Sequence, residues 1–235
     1  MEMNNEAKFN NNMRTEEEKQ KIEQNLSEPY MIENFITNEE RNQLIEYFKQ
    51  SNKKIYKITG PVTLHLDNND YQNEIIKTIL ERVENEVNAK VYFGHFFYTT
   101  KPHIIHNDDS FDIKTPYKGI NIPLETFEDT FLCIFEQYYL DGPSKFFNGS
   151  KDLPTYYNTQ VYEYSNVKNL SSIQFDEYLR LKQFGHLEKS WLEGLSIKSI
   201  FKQLPNSAII FDTVRLHCST NFIQSKLGLS FFTKI

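Results

Sequence analysis

Cysteine, tryptophan and long apolar runs are all scarce in this chain. Its two cysteines, Cys133 and Cys218, are too few for a disulfide framework and too far apart for a CxxC site. No window approaches the roughly eighteen consecutive apolar residues of a membrane-spanning helix. The opening "MEMNNEAKFNNNMRTEEEKQK" lacks the apolar centre of a signal peptide. Positive charge is in deficit too: 26 Lys and Arg against 32 Asp and Glu leave a formal net charge of −6. Without a long Lys/Arg run to offset it, no field draws in nucleic acid non-specifically. These absences lead us to expect a soluble, cytoplasmic protein in a reducing compartment, with no membrane partner and no nucleic acid indicated.

What the chain does have is aromatic residues, 19 Phe and 14 Tyr among its 235 residues. Each buries a large area, so they hold a core together despite modest aliphatic content. Residues 1–27 are polar and are expected to be flexible, although "RTEEEKQKIEQNL" has the makings of an exposed helix. The rest, 28–235, reads as a single domain. Residues 28–90 supply two amphipathic helices. The first opens on a capping box, Thr37 as N-cap and Glu40 at the third helical position, and turns Leu44, Ile45 and Phe48 to one face. The second repeats apolar residues at Ile75, Ile76, Ile79, Leu80, Val83 and Val87. Beyond Lys90 come strand-like runs: "KVYFGHFFYTT", "YKGINIPLE", "TFLCIFEQYYL", "NSAIIFDTV" and "KLGLSFFTKI". An insertion, 141–203, interrupts them and ends in segments read as helical, "SSIQFDEYLRLKQF" and "LEKSWLEGLSIKSIF". The pattern predicts a mainly β fold with flanking helices, a jelly roll buttressed by the N-terminal helices.

Within this pattern "KPHIIHNDDSFD" gathers two histidines and three aspartates. His106 and Asp108 form an H-x-D pair, and on extended backbone residues two apart point to the same side. Imidazole plus carboxylate suits a divalent metal such as Fe(II), given a third ligand and open positions. An H-x-D is too short to decide anything alone. His217, after the apolar run "NSAIIFDTV", is the candidate third ligand. Lys226 follows nine residues later and opens the last strand, where its ammonium could meet a carboxylate. Ser230 shares its strand parity.

This order of features resembles the Fe(II)/2-oxoglutarate-dependent oxygenases, in particular their prolyl-hydroxylase-like and phytanoyl-hydroxylase-like branches. The matching stretches are "HND", "RLHCSTNF", "KLGLSFF" and the opening "YMIENFITNEERNQLIEYF", and the resemblance spans 28–235. It implies a double-stranded β-helix of cupin-like type, with Fe(II) bound by His106, Asp108 and His217 and 2-oxoglutarate held through Lys226. Tyr98 and Ser230 would be further cosubstrate contacts. It also implies O2 consumption and hydroxylation of a small-molecule or peptide substrate, with release of succinate and CO2. The family more often has Arg with Ser two residues on; here Gly228 follows Lys226 at that spacing. Asp108 occupies the position that halogenating relatives leave open for chloride, which favours hydroxylation. The insertion would shape the substrate site.

Competing assignments sit beside these. Asp109 is out of parity with His106 by one pleat, which favours Asp108. His103 reads as a loop residue, and His65 with Asp67 as a second H-x-D lacking a partner. His95 reads as a core or surface residue, and His186 as part of the insertion. A cupin-like hydrolase or isomerase would use the same triad but not Lys226. A non-catalytic jelly-roll binding protein would need neither.

Overall fold

The computed structural model describes residues 14–56, 61–110, 113–126, 130–143, 182–192 and 195–235. Its backbone is organised by two antiparallel sheets. The larger comprises β1 (Tyr30–Ile32), β2 (Val62–His65), β3 (Lys90–Thr99), β4 (Pro116–Thr126), β7 (Ala208–Asp212) and β9 (Lys226–Lys234), ordered β1-β7-β4-β9-β3-β2. The smaller holds β5 (Phe131–Tyr138), β6 (Ile197–Lys202) and β8 (Arg215–Ser219), ordered β6-β5-β8. The two sheets face each other as a jelly roll, and a cavity lies between them.

Strand alternation decides what each face does. Phe96 on β3, Ile120 and Ile122 on β4, and Leu227, Leu229 and Phe231 on β9 all turn outward into one core. Two helices cover that face. Helix α2 (Asn38–Gln50) contributes Leu44, Ile45 and Phe48, and α3 (Glu74–Val87) contributes Ile76, Ile79, Val83 and Val87. Each such side chain, fully buried, contributes about 1.5–3 kcal/mol. The expected capping box is present: Thr37 Oγ1 accepts from Glu40 N–H at 3.1 Å, and Thr37 N–H donates to Glu40 Oε2 at 2.7 Å. Arg82 of α3 donates to the same Glu40 carboxylate at 2.6 Å, which locks the two helices together.

Residues 1–13 of the first polar segment lie outside the described residues, and 14–27 are more ordered than their composition suggests. Helix α1 (Glu16–Gln24) has its own capping box, between Thr15 and Glu18. It is not simply exposed, since Ile22 is buried and Arg14, just ahead of it, is buried too.

The end of the insertion also differs from expectation. Residues 197–201, read as helical, belong to strand β6, with Phe201 opposite Leu132 and Ile200 opposite Cys133. An edge position against β5 supplies backbone partners that helical propensity cannot match, and Lys198 and Lys202 suit a sheet edge. Ahead of it, Phe184, Leu187 and Leu195 pack against Cys133, Phe135, Leu216 and Cys218 on the outer face of the smaller sheet. This part of the insertion is core. Most of "SSIQFDEYLRLKQF" lies outside the described residues. Among the described residues, no helix is long and apolar enough to cross a membrane.

Candidate metal centre and its cavity

After β3 the chain runs extended alongside β8. His106 and His217 pair across the gap as an isolated antiparallel bridge, exchanging backbone hydrogen bonds of 3.0 and 2.8 Å. Two residues on, Asp108 N–H donates to Thr213 O at 2.9 Å, which keeps the segment extended. His106 and Asp108 therefore project to the same side, toward His217. His106 Nε2 lies 3.5 Å and His217 Nε2 3.2 Å from the two Asp108 carboxylate oxygens. One ligand atom from each residue falls within 4.8 Å of the others.

The tautomers follow from the backbone. His106 Nδ1 sits 2.8 Å from Ile104 O, and His217 Nδ1 3.0 Å from Arg215 O. A carbonyl only accepts, so each Nδ1 carries a proton and each Nε2 is the nitrogen turned toward Asp108, the one left to bind a metal. Burial pushes the Asp108 carboxyl up, but the two imidazoles outweigh that and hold it well below the usual carboxylate range. Two imidazoles ligating through Nε2 and one carboxylate are a fitting donor set for a divalent iron.

The competing residues are employed otherwise. Asp109 faces the other way and is gripped by Arg14, whose two terminal nitrogens reach its oxygens at 2.5 and 2.6 Å. Asp67 takes Lys53 at 2.9 Å, so His65 and Asp67 assemble nothing. His103 is drawn in closer than a loop residue need be, its ring 4.0 Å from that of His106, and it lines the cavity.

The cavity, about 120 Å³, is bounded by residues of both sheets, including Phe97, Asn121, Gln203, Phe211, Lys226 and Ser230. Phe211 packs against the His217 ring at 4.7 Å. His95 and Phe232 stack on its floor, 5.7 Å apart and 14° from parallel. Lys226 is 6% exposed. Its ammonium lies 5.7 Å from the centre of the Phe97 ring and 5.4 Å from that of Phe222, and donates to Gln203 Oε1 at 3.2 Å. Burial pulls its pKa down to about 8. Ser230 Oγ accepts from Asn121 Nδ2 at 3.3 Å.

No protein-family model and no curated protein matches the sequence. Solved structures do. The epimerase SnoN, in complex with Fe3+, alpha ketoglutarate and nogalamycin RO, superposes with a TM-score of 0.53 at 8% identity, over 91% of this chain and 80% of that one. The non-heme alpha ketoglutarate dependent carbocyclase SnoK from nogalamycin biosynthesis gives 0.51 at 9%, over 94% and 83%. An oxidoreductase of the 2OG-Fe(II) oxygenase family from Burkholderia pseudomallei gives 0.50 at 8%, over 88% and 84%. The chain has the 2-oxoglutarate oxygenase fold.

Set on that oxygenase fold, His106, Asp108, His217, Lys226 and Ser230 all reach one cavity, and Tyr98 does not. Tyr98 sits on β3 opposite Leu227 and packs into the outer core beneath the helices. Its neighbours Phe97 and Thr99 face the cavity, because successive strand residues alternate faces. Asn121, Gln203 and Phe97 were not anticipated. Asn121 has a signal, a polar residue at inward parity in "GINIP". Gln203 has none, since its place depends on β6.

Proposed function

We propose that this chain is an Fe(II)- and 2-oxoglutarate-dependent dioxygenase that hydroxylates a C–H bond of a small-molecule or peptide substrate. The carrying observation is one cavity that holds both the His106–Asp108–His217 donor set and the buried ammonium of Lys226. Iron and 2-oxoglutarate, when bound, supply the oxidising chemistry, in which O2 is consumed and succinate and CO2 are released.

The chain's own residues bind, orient and exclude water. His106, Asp108 and His217 would hold the iron, with both imidazoles fixed in the ligating tautomer by backbone carbonyls. Lys226 would hold the distal carboxylate of 2-oxoglutarate, and Ser230 lies on the same strand face. Phe97 and Phe222 keep water from the ammonium, which strengthens its pull on an anion. A metal-dependent hydrolase or isomerase on the same ligands has no use for a buried lysine, and a binding protein has no use for an ordered triad.

Anaerobic titration of metal-free protein with Fe(II) and then 2-oxoglutarate tests the reading. A weak visible charge-transfer band should saturate near one equivalent of each and be lost in His217→Ala. Folded wild-type protein that gives no band would overturn it.

A further inference from the structure

The neighbour of Lys226 carries an unspent hydrogen-bond donor. An ammonium only donates, so the Gln203 atom that faces Lys226 Nζ at 3.2 Å is the amide oxygen. The other end of the amide is then the NH2 group. That nitrogen is buried, lies in a side chain that lines the cavity, and has no hydrogen-bond partner among the described residues. Gln203 itself is 3% exposed. Its backbone is pinned from both sides: N–H donates to Thr130 O at 2.8 Å, and O accepts from Thr126 Oγ1 at 3.2 Å. Orphaned buried donors are rare and carry a desolvation cost that a ligand can relieve.

Position 228, two residues past Lys226 on the same strand face, offers nothing. It is glycine, and the Phe97 ring fills the space, with Cζ 2.4 Å from where a Cβ would stand. Any second donor beside Lys226 must come from another element. Gln203, at the end of β6, is placed to be that donor.

We propose that Gln203 binds the distal carboxylate of a 2-oxo dicarboxylate together with Lys226, ammonium to one oxygen and amide N–H to the other. This rests on the cosubstrate reading above. An ammonium beside an amide N–H suits a two-oxygen anion better than a neutral group. It makes Gln203 a determinant of dicarboxylate over monocarboxylate binding.

The test compares 2-oxoglutarate with pyruvate, a 2-oxo acid without the distal carboxylate, by anaerobic titration of the Fe(II)-loaded protein. Wild type should bind 2-oxoglutarate more tightly. Gln203→Ala should weaken 2-oxoglutarate roughly 10–100-fold and leave pyruvate unchanged. Gln203→Glu, which keeps size and shape, should lose 2-oxoglutarate more completely, because the new carboxylate neutralises Lys226 and repels the ligand. It should also raise the Tm of the ligand-free protein by pairing that lysine. If Gln203→Ala fails to fold, Gln203→Met, which keeps the length and loses the N–H donor without adding charge, settles the matter by the same comparison of the two acids. Equal binding by variant and wild type, or an equal loss for both acids, would overturn the role of Gln203 and leave the cosubstrate reading standing. Wild type that binds neither acid would overturn both.

Discussion

Two lysines are buried on neighbouring strands, and they are treated in opposite ways. Lys118 on β4 is matched: its ammonium contacts Asp212 Oδ1 and donates to Ser27 Oγ at 2.8 Å. Asp212 in turn accepts from Arg215 Nε at 3.0 Å and Ser27 N–H at 3.1 Å. Lys226 on β9 meets an amide oxygen and two aromatic rings, with no carboxylate in ion-pair range among the described residues. A buried charge paired within the protein has its desolvation cost offset. A charge left without its counterion is a standing cost, retained where an outside anion completes it. The contrast is the one that the proposed cosubstrate role of Lys226 requires.

The sharpest break in that comparison is the same substitution at each site. Lys226→Met should weaken 2-oxoglutarate binding by roughly 100–1,000-fold, the loss for one partner of a buried charge pair, read by anaerobic titration. It should also stabilise the ligand-free protein by about 1–3 kcal/mol in urea melts, because a lone buried ammonium is gone. Lys118→Met should do the reverse, destabilising the fold by about 3 kcal/mol since Asp212 loses one of its two cations and keeps Arg215 and Ser27 N–H. If both variants lose stability alike, the distinction between the two lysines fails.

Acidity sharpens the contrast further. The folded pKa of Lys226 is pulled by burial from the ordinary 10.5 to about 8. Between those values the unfolded chain holds the proton and the folded one does not, so ligand-free stability should rise with pH across that window. Binding of 2-oxoglutarate needs the charged form, so its affinity should fall about tenfold per pH unit above 8. Paired melts and titrations from pH 7 upward check both signs, and Lys226→Met should flatten both. The smallest expected effect is steric. Gly228→Ala drives a methyl into the Phe97 ring, costing about 1–3 kcal/mol of stability and loosening the wall against Lys226. A urea midpoint unchanged in Gly228→Ala would show that Phe97 yields freely.

Much of this was legible in the sequence where the physics is local. Thr37 and Glu40 announce a helix start because the capping box is a contact over three residues. His106 and Asp108 share a side because strand parity is fixed by adjacency, and the same rule sets Asp109 aside. Parity applied to Tyr98 would have turned it away from the cavity and named Phe97 and Thr99 instead. What was not legible depends on pairing between distant segments. "IKSIF" becomes a strand because β5 needs an edge partner. Gln203 follows from that pairing, and nothing near it in the chain marks it. Arg14 likewise becomes intelligible only when Asp109, 95 residues away, is brought to it.

Arg14 also bears on how the protein should be handled. Besides Asp109, its guanidinium donates to the carbonyls of Leu140 at 2.5 Å, Ile113 at 2.8 Å and Lys114 at 3.0 Å. One side chain thus ties the start of the described chain to the loop that leaves the proposed ligand Asp108. A recombinant boundary drawn just after this arginine, as the polar composition of the first residues invites, would spare the sheets and both helices of the buttress. It would unfasten a strap that crosses from the N-terminal segment to the metal-side loop. On the proposed reading such a trimmed protein should melt earlier, with Asp109 buried and stripped of its cation, and should retain less iron, and its weak turnover would be mistaken for the wrong substrate.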